Sequence, residues 1–290
     1  MYKALNYWVF GGFTAERTCE EFIDWAAAQG LDGVELTIGD LLPLDTTDER
    51  AAEIKAYAAS KNIKLRSCAF SGGWTCSIAS PDKEERELAL SRAEQALRIA
   101  GGLGAESLLV LAGATRVAWD PSRPVVSYKT TWEISTESVK KLLPIAEKYD
   151  VNLALENVWN RFLISPMEWL FFLKQFESPK IGMYFDVGNV CLYGRPQDYP
   201  EILGSYIKAV HIKNFEETDC GGGLHGFGDD LMKGEVDFKA TFDALKAANY
   251  NGPFTAEMIP FSRLPDLVLP DLPLAEKVVA QMKELEQKFY

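Results

Sequence analysis

The chain has 290 residues, 47% of them hydrophobic and 25% charged, a balance that buries a sizeable core and excludes a disordered polymer. A formal net charge of −12 and a sequence pI near 4.8 oppose association with a phosphate backbone, so no nucleic-acid partner is expected. The five cysteines form no CxxC pair, MYKALNYWVFGG contains no apolar leader run, and nowhere do eighteen apolar residues follow one another. Reduced thiols, a cytoplasmic location and no membrane span are therefore expected.

From the N-terminus, short β-rich runs alternate with segments of helical period in eight pairs. KALNYWVF (3–10) reads as the first strand, and TAERTCEEFIDWAAAQG (14–30) as the helix after it, capped by Thr14 and ended at Gly30. DGVELTI (32–38) and TTDERAAEIKAYAASKN (46–62) follow, then IKLRSCAF (63–70) and PDKEERELALSRAEQALRIAGG (81–102), entered through Ser80 and Pro81 and closed near Gly102. ESLLVLAG (106–113) leads through a long connection, 113–133, to ISTESVKKLLPIAEKYD (134–150). VNLALEN (151–157) pairs with SPMEWLFFLKQF (165–176), which carries Pro166 in its first turn, and KIGMYFDVG (180–188) with PQDYPEILGSY (196–206). IKAVHIKN (207–214) leads through a second long connection, 215–236, to DFKATFDALKAANY (237–250). PFTAEMI (253–259) and LAEKVVAQMKELEQKF (274–289) close the chain.

Short apolar strands separated by amphipathic helices imply a parallel sheet covered by helices. Eight units without a linker or a break in composition point to an α/β fold, one closed (β/α)8 TIM barrel over residues 1–290. An open doubly wound sheet is the alternative, and the lack of a glycine-rich fingerprint after the first strand speaks against it. Connections as long as 113–133 and 215–236 are expected to act as lids or binding loops.

In a barrel, the C-terminal strand ends form the mouth where reactive groups collect. Strand five ends on Glu156, strand six on Asp186, strand seven carries His211, and strand eight ends on Glu257. Any one of these carboxylates also reads as a helix cap, and His211 as core filler with a single hydrogen bond. Four consecutive strands each delivering a metal-competent side chain read differently. Three converging carboxylates repel one another unless a cation neutralises them, and one imidazole with several oxygens suits Mn²⁺, Mg²⁺, Co²⁺ or Zn²⁺. We read all four as metal ligands. The two-residue period of a strand places Lys213 on the same face as His211. Glu35, Trp8 and Trp74 fall near the mouth ends of strands one to three, where they read as substrate contacts, although aromatics at such places also serve packing. His225 lies in GGGLHGFGDD, a glycine-rich stretch that could close over a substrate.

In LALENVWNRFLISPMEW, KIGMYFDVGNV, IKAVHIKNF and GEVDF…NYNGPFTAEM, the sequence resembles the sugar isomerase and epimerase superfamily with the xylose-isomerase-like barrel, along essentially its whole length. The resemblance implies that Glu156, Asp186, His211 and Glu257 bind one divalent metal ion. It implies further that Glu156 and Glu257 double as the acid and base of an isomerase, in a ketose 3-epimerisation through a metal-stabilised cis-enediolate. The substrate would be a small sugar or sugar phosphate, and barrels of this type commonly pair as homo-oligomers. ENVWNRFL followed by YFDVGNV is most similar to the branch of L-ribulose-5-phosphate 3-epimerases and hexulose-6-phosphate isomerases. Free-ketose 3-epimerases usually carry a histidine three residues after the metal aspartate and an arginine shortly after the metal histidine. Here Asn189 stands in the first place and HIKNFEE continues with acids, departures that speak against a simple free-ketose epimerase; Asn189 and Lys213 are read as substrate contacts. An inosose-dehydratase-like lyase, or a non-catalytic sugar binder that keeps the metal, shares these ligands. An endonuclease IV-like nuclease needs several histidines and is set aside, since His211 and His225 are the only two.

Overall fold

The computed structural model describes residues 1–117, 120, 122–216, 228–259 and 270–289. Eight parallel strands close into a barrel in sequence order: β1 (Tyr2–Asn6), β2 (Gly33–Ile38), β3 (Ser67–Phe70), β4 (Ser107–Leu111), β5 (Asn152–Glu156), β6 (Ile181–Asp186), β7 (Ile207–Ile212) and β8 (Pro253–Ala256). The strand that closes the ring is β8, paired with β1 from Tyr2↔Pro253 to Leu5↔Ala256. Outside lie α1 (Tyr7–Gly11), α2 (Cys19–Ala28), α3 (Asp48–Ser60), α4 (Lys83–Leu103), α5 (Tyr128–Lys148), α6 (Pro166–Leu173), α7 (Asp198–Leu203), α8 (Phe238–Ala247) and α9 (Leu272–Phe289). Among the described residues, no helix is long and apolar enough to cross a membrane.

Local chemistry explains where these elements begin. Thr18, not Thr14, caps α2, because Glu21 sits three residues on and closes a reciprocal capping box. Asp82 outcompetes Ser80 at α4 by accepting from the amides of Glu84 and Glu85, while Ser80 turns to Glu85. That helix runs through Gly102 and stops at Gly104, whose φ of 75° is the left-handed C-cap conformation that glycine adopts without strain. Its buried Ala89, Ala93, Ala96 and Ala100 recur at spacings of three and four, a small-residue stripe facing inward. Ser127 caps α5, which starts at Tyr128 and so takes the last residues of the long connection after β4 into the helix. Ser165 and Pro166 open α6 as expected, with Glu168 completing a capping box.

The first strand is shorter than its β-rich composition predicts. Asn6 ends β1 by accepting from the Trp8 amide, and Tyr7–Gly11 coil into the short helix α1. Trp8 is consequently on a helix above the barrel rather than on a strand.

Between β6 and β7 the register shifts at Met183/Tyr184, and beyond the shift Asp186 stands directly opposite His211. Gly182 permits the close approach there: a Cβ on it would come within 2.3 Å of the Tyr206 carbonyl oxygen. Gly182→Ala is therefore expected to destabilise the fold by about 1–3 kcal/mol, the usual penalty of overpacking, and a denaturant melt checks it.

Candidate metal centre

Glu156, Asp186, His211 and Glu257 meet inside the mouth, each offering one ligand atom, and these atoms all lie within 4.8 Å of one another. All four are buried, with exposures of 1%, 0%, 0% and 4%. Three come from the last turns of pleat on β5, β6 and β7. The fourth directly follows β8, where the Glu257 amide extends the ladder by donating to the Ile212 carbonyl at 3.1 Å.

The loops fix how these groups face the centre. Asp186 Oδ1 accepts from the amides of Gly188 and Asn189, both at 2.9 Å, which leaves Oδ2 turned inward. Asn157 clamps the Asp186 backbone from the neighbouring strand, donating to its carbonyl and accepting from its amide, each at 2.9 Å. His211 Nε2 is engaged below by Glu35 Oε1 at 2.6 Å, so Nδ1 is the nitrogen that faces Glu257 at 3.5 Å and Glu156 at 3.8 Å. Both His211 Nδ1 and Glu156 Oε2 are buried without a hydrogen-bond partner. Burying a polar atom unsatisfied costs roughly 1–3 kcal/mol, and two such atoms on side chains of one cluster fit an ion held there.

Lys213 shares the inward face with His211, as the strand period requires. Its Nζ lies 2.9 Å from Asp186 Oδ2 and 2.7 Å from Glu257 Oε2. Gly188 makes room for it, since a Cβ there would fall 2.6 Å from Lys213 Cγ.

Among these side chains the electrostatics are those of a crowded carboxylate cluster. Burial first, and then the charges of Glu257 and Asp186, raise the Glu156 carboxyl to about 8 against the opposing pull of His211. Burial likewise raises Asp186, with Lys213 opposing. For the bases burial works the other way and is overcome: Glu257 and Glu35 hold His211 well above its ordinary value, and Asp186 and Glu257 raise Lys213. The donor set of one imidazole and three carboxylates fits a borderline or hard divalent cation.

The remaining sequence candidates separate into those near the centre and those committed elsewhere. Glu35 is not a mouth residue: β2 continues to Ile38, which leaves Glu35 below the ligands, fully buried. Asn189 is buried within loop–loop contacts, its side chain donating to the Asn157 carbonyl at 2.8 Å and its own carbonyl accepting from Trp159 Nε1 at 2.9 Å. Trp8 is 1% exposed, with its indole N–H donating to Asp40 at 2.6 Å and its ring packed edge-on against Trp74. Trp74 is half-buried and lines an open cleft with Gly73, Leu111, Gly113 and Arg123. Leu111 pairs in register with Glu156, so this cleft adjoins the centre. His225 lies outside the described residues. Sequence reading gave no role to Asn157, Tyr184 or Asn6, although the Asn that directly follows Glu156 was a readable signal.

A closed parallel barrel with a buried imidazole–carboxylate cluster at its C-terminal mouth defines a class of metal-competent TIM-barrel proteins. The chain belongs to the xylose isomerase-like TIM barrel family, which it matches over residues 23–285. It is 25% identical over 248 residues to a putative L-ribulose-5-phosphate 3-epimerase of Haemophilus influenzae, covering 83% of this chain and 84% of that one. It is 28% identical over 246 residues to the Escherichia coli protein of the same description, covering 80% and 81%. Among solved structures, the D-psicose 3-epimerase of Clostridium cellulolyticum H10 superposes with a TM-score of 0.78 at 20% identity, over 99% of both chains. The 3-keto-D-glucoside 4-epimerase of E. coli does so with a TM-score of 0.75 at 17% identity, also over 99% of both.

Proposed function

We propose that this chain is a divalent-metal-dependent isomerase that inverts carbon three of a ketose or ketose phosphate. The observation that carries the reading is the convergence of four buried ligand atoms within 4.8 Å, on side chains two of which also hold buried atoms without a hydrogen-bond partner. The curated relatives named L-ribulose-5-phosphate 3-epimerases support the substrate class and make pentulose phosphates the first compounds to try.

A divalent cation held by Glu156, Asp186, His211 and Glu257 would supply Lewis acidity, polarising the ketose carbonyl and stabilising the enediolate formed on loss of the adjacent proton. Glu156 and Glu257 stand on β5 and at the end of β8, with β6 and β7 between them, so they reach a sugar from different sides. One removes the proton at carbon three, and the other returns a proton to the opposite face. Lys213, held against Asp186 and Glu257, places an ammonium donor beside the substrate oxygens. The cleft past Trp74 and Leu111 gives the rest of the sugar an apolar wall. Asn189 in this reading shapes the wall through Asn157 and Trp159. Action in the cytoplasm agrees with the free thiols of Cys19, Cys68, Cys76 and Cys191.

The test is incubation of metal-loaded protein with ketoses and their 5- and 6-phosphates in D₂O, followed by NMR. Deuterium at carbon three together with epimer formation is the expected result. Water elimination would indicate a dehydratase instead, and binding without exchange on any sugar would indicate a binder.

A further inference from the structure

Glu35 is a carboxylate buried in the barrel interior with no exposed surface, and its strand is separated from that of His211 by β1 and β8. Its contact with His211 therefore crosses the inside of the barrel. Oε1 takes His211 Nε2 at 2.6 Å and Asn6 Nδ2 at 2.7 Å, and Oε2 accepts from the Tyr184 hydroxyl. Tyr184 belongs to the same strand and face as Asp186, two residues away, and its ring lies 4.4 Å from the His211 ring. One carboxylate thus ties together the strands that carry two of the four ligands.

From this geometry we infer that Glu35 is a positioning residue for the metal centre. A metal-bound ring carries a single proton, and with that proton on Nε2 and committed to Glu35, Nδ1 is left as a lone-pair donor toward the ligand cluster. The negative charge behind the ring strengthens that donor. Tyr184 and Asn6 fix the carboxylate in turn, so turning the ring's other nitrogen toward the mouth would break the Nε2 bond to a carboxylate that is held from following it. Glu35 does not touch substrate. A purely structural role would be satisfied by any isosteric group that fills the same space and hydrogen-bonds Asn6 and Tyr184, whereas a positioning role requires the charge. The inference rests on the metal-site reading above, and its test is arranged to separate the two.

Wild type, Glu35→Gln and Tyr184→Phe, stripped of metal, are titrated with Co²⁺ and followed by visible absorption, with thermal melting of each metal-free protein alongside. Glu35→Gln is expected to melt close to wild type but to bind Co²⁺ roughly 10–100-fold more weakly, with a shifted absorption band. Tyr184→Phe is expected to show a smaller loss in the same direction. Wild-type affinity and band in a folded Glu35→Gln overturn the inference and leave the metal site standing. A wild type that binds no Co²⁺ overturns both. If Glu35→Gln does not fold, Tyr184→Phe decides, and an unchanged affinity and band there overturn the inference.

Discussion

Replacing Glu257 or Glu156 with glutamine is expected to lower kcat for epimerisation by roughly 10²–10⁴-fold, the range typical of a lost acid–base group, with the barrel intact. The two variants should not fail in the same way. If each carboxylate serves one face of carbon three, the variant that keeps Glu156 can still withdraw the proton from one epimer, and the variant that keeps Glu257 from the other. Each should therefore wash deuterium slowly into one epimer without inverting it, which NMR in D₂O resolves by running both epimers with both variants. A single-base isomerase would show one dead variant and one that exchanges normally. Glu156→Gln carries a second expectation. Because burial and neighbouring charges already favour the protonated carboxyl at neutral pH, a neutral amide there should leave the metal-free melting temperature unchanged or raised.

The four residues that meet at the mouth were legible in the sequence because each ends or follows a strand or lies within one residue of its end, and strand ends are where periodicity changes. The placement of Lys213 followed from the same two-residue alternation that faces His211 inward. Misreadings arose where a local signal competed with a stronger one nearby. The aromatic run NYWVF looks like a strand, but Asn6 can cap its own following turn, and so Trp8 leaves the sheet. Thr14 is an acceptable cap, but Thr18 has Glu21 at the position that closes a capping box. Glu35 was placed at the mouth although its strand was read to its full length: Thr37 and Ile38 continue β2 beyond it and leave the carboxylate beneath. Its contact with His211 spans 176 positions and crosses the barrel, so no window of sequence contains it. The backbone clamp of Asn157 on Asp186 is hidden for the same reason, since it depends on the lateral pairing of β5 with β6.

Removing the divalent ion by chelation is expected to abolish turnover without unfolding the protein. In its absence, Lys213 Nζ already bridges Asp186 and Glu257, and His211 Nδ1 stands 3.5 Å from Glu257, so internal cations offset part of the carboxylate repulsion. A ligand present at 100 times its Kd stabilises the native state by about 2.7 kcal/mol, and at about 2–4 °C per kcal/mol the melting temperature should fall by roughly 5–10 °C on chelation. The loss should depend on pH with a defined sign. Glu156 in the metal-free fold titrates near 8, above its value of 4.5 in the unfolded chain, so the folded state holds a proton that the unfolded state has released. The stability this provides is complete below pH 4.5 and is lost as the pH rises through 8. Metal binding requires the ionised carboxylate and removes that dependence. The gap between metal-loaded and metal-free melting temperatures should accordingly widen from pH 6 to pH 8, in paired melts with Mn²⁺ and with EDTA at constant ionic strength. A gap that does not widen over this interval would show that Glu156 is ionised before the cation arrives, and would place the charge deficit of the centre elsewhere than at Glu156.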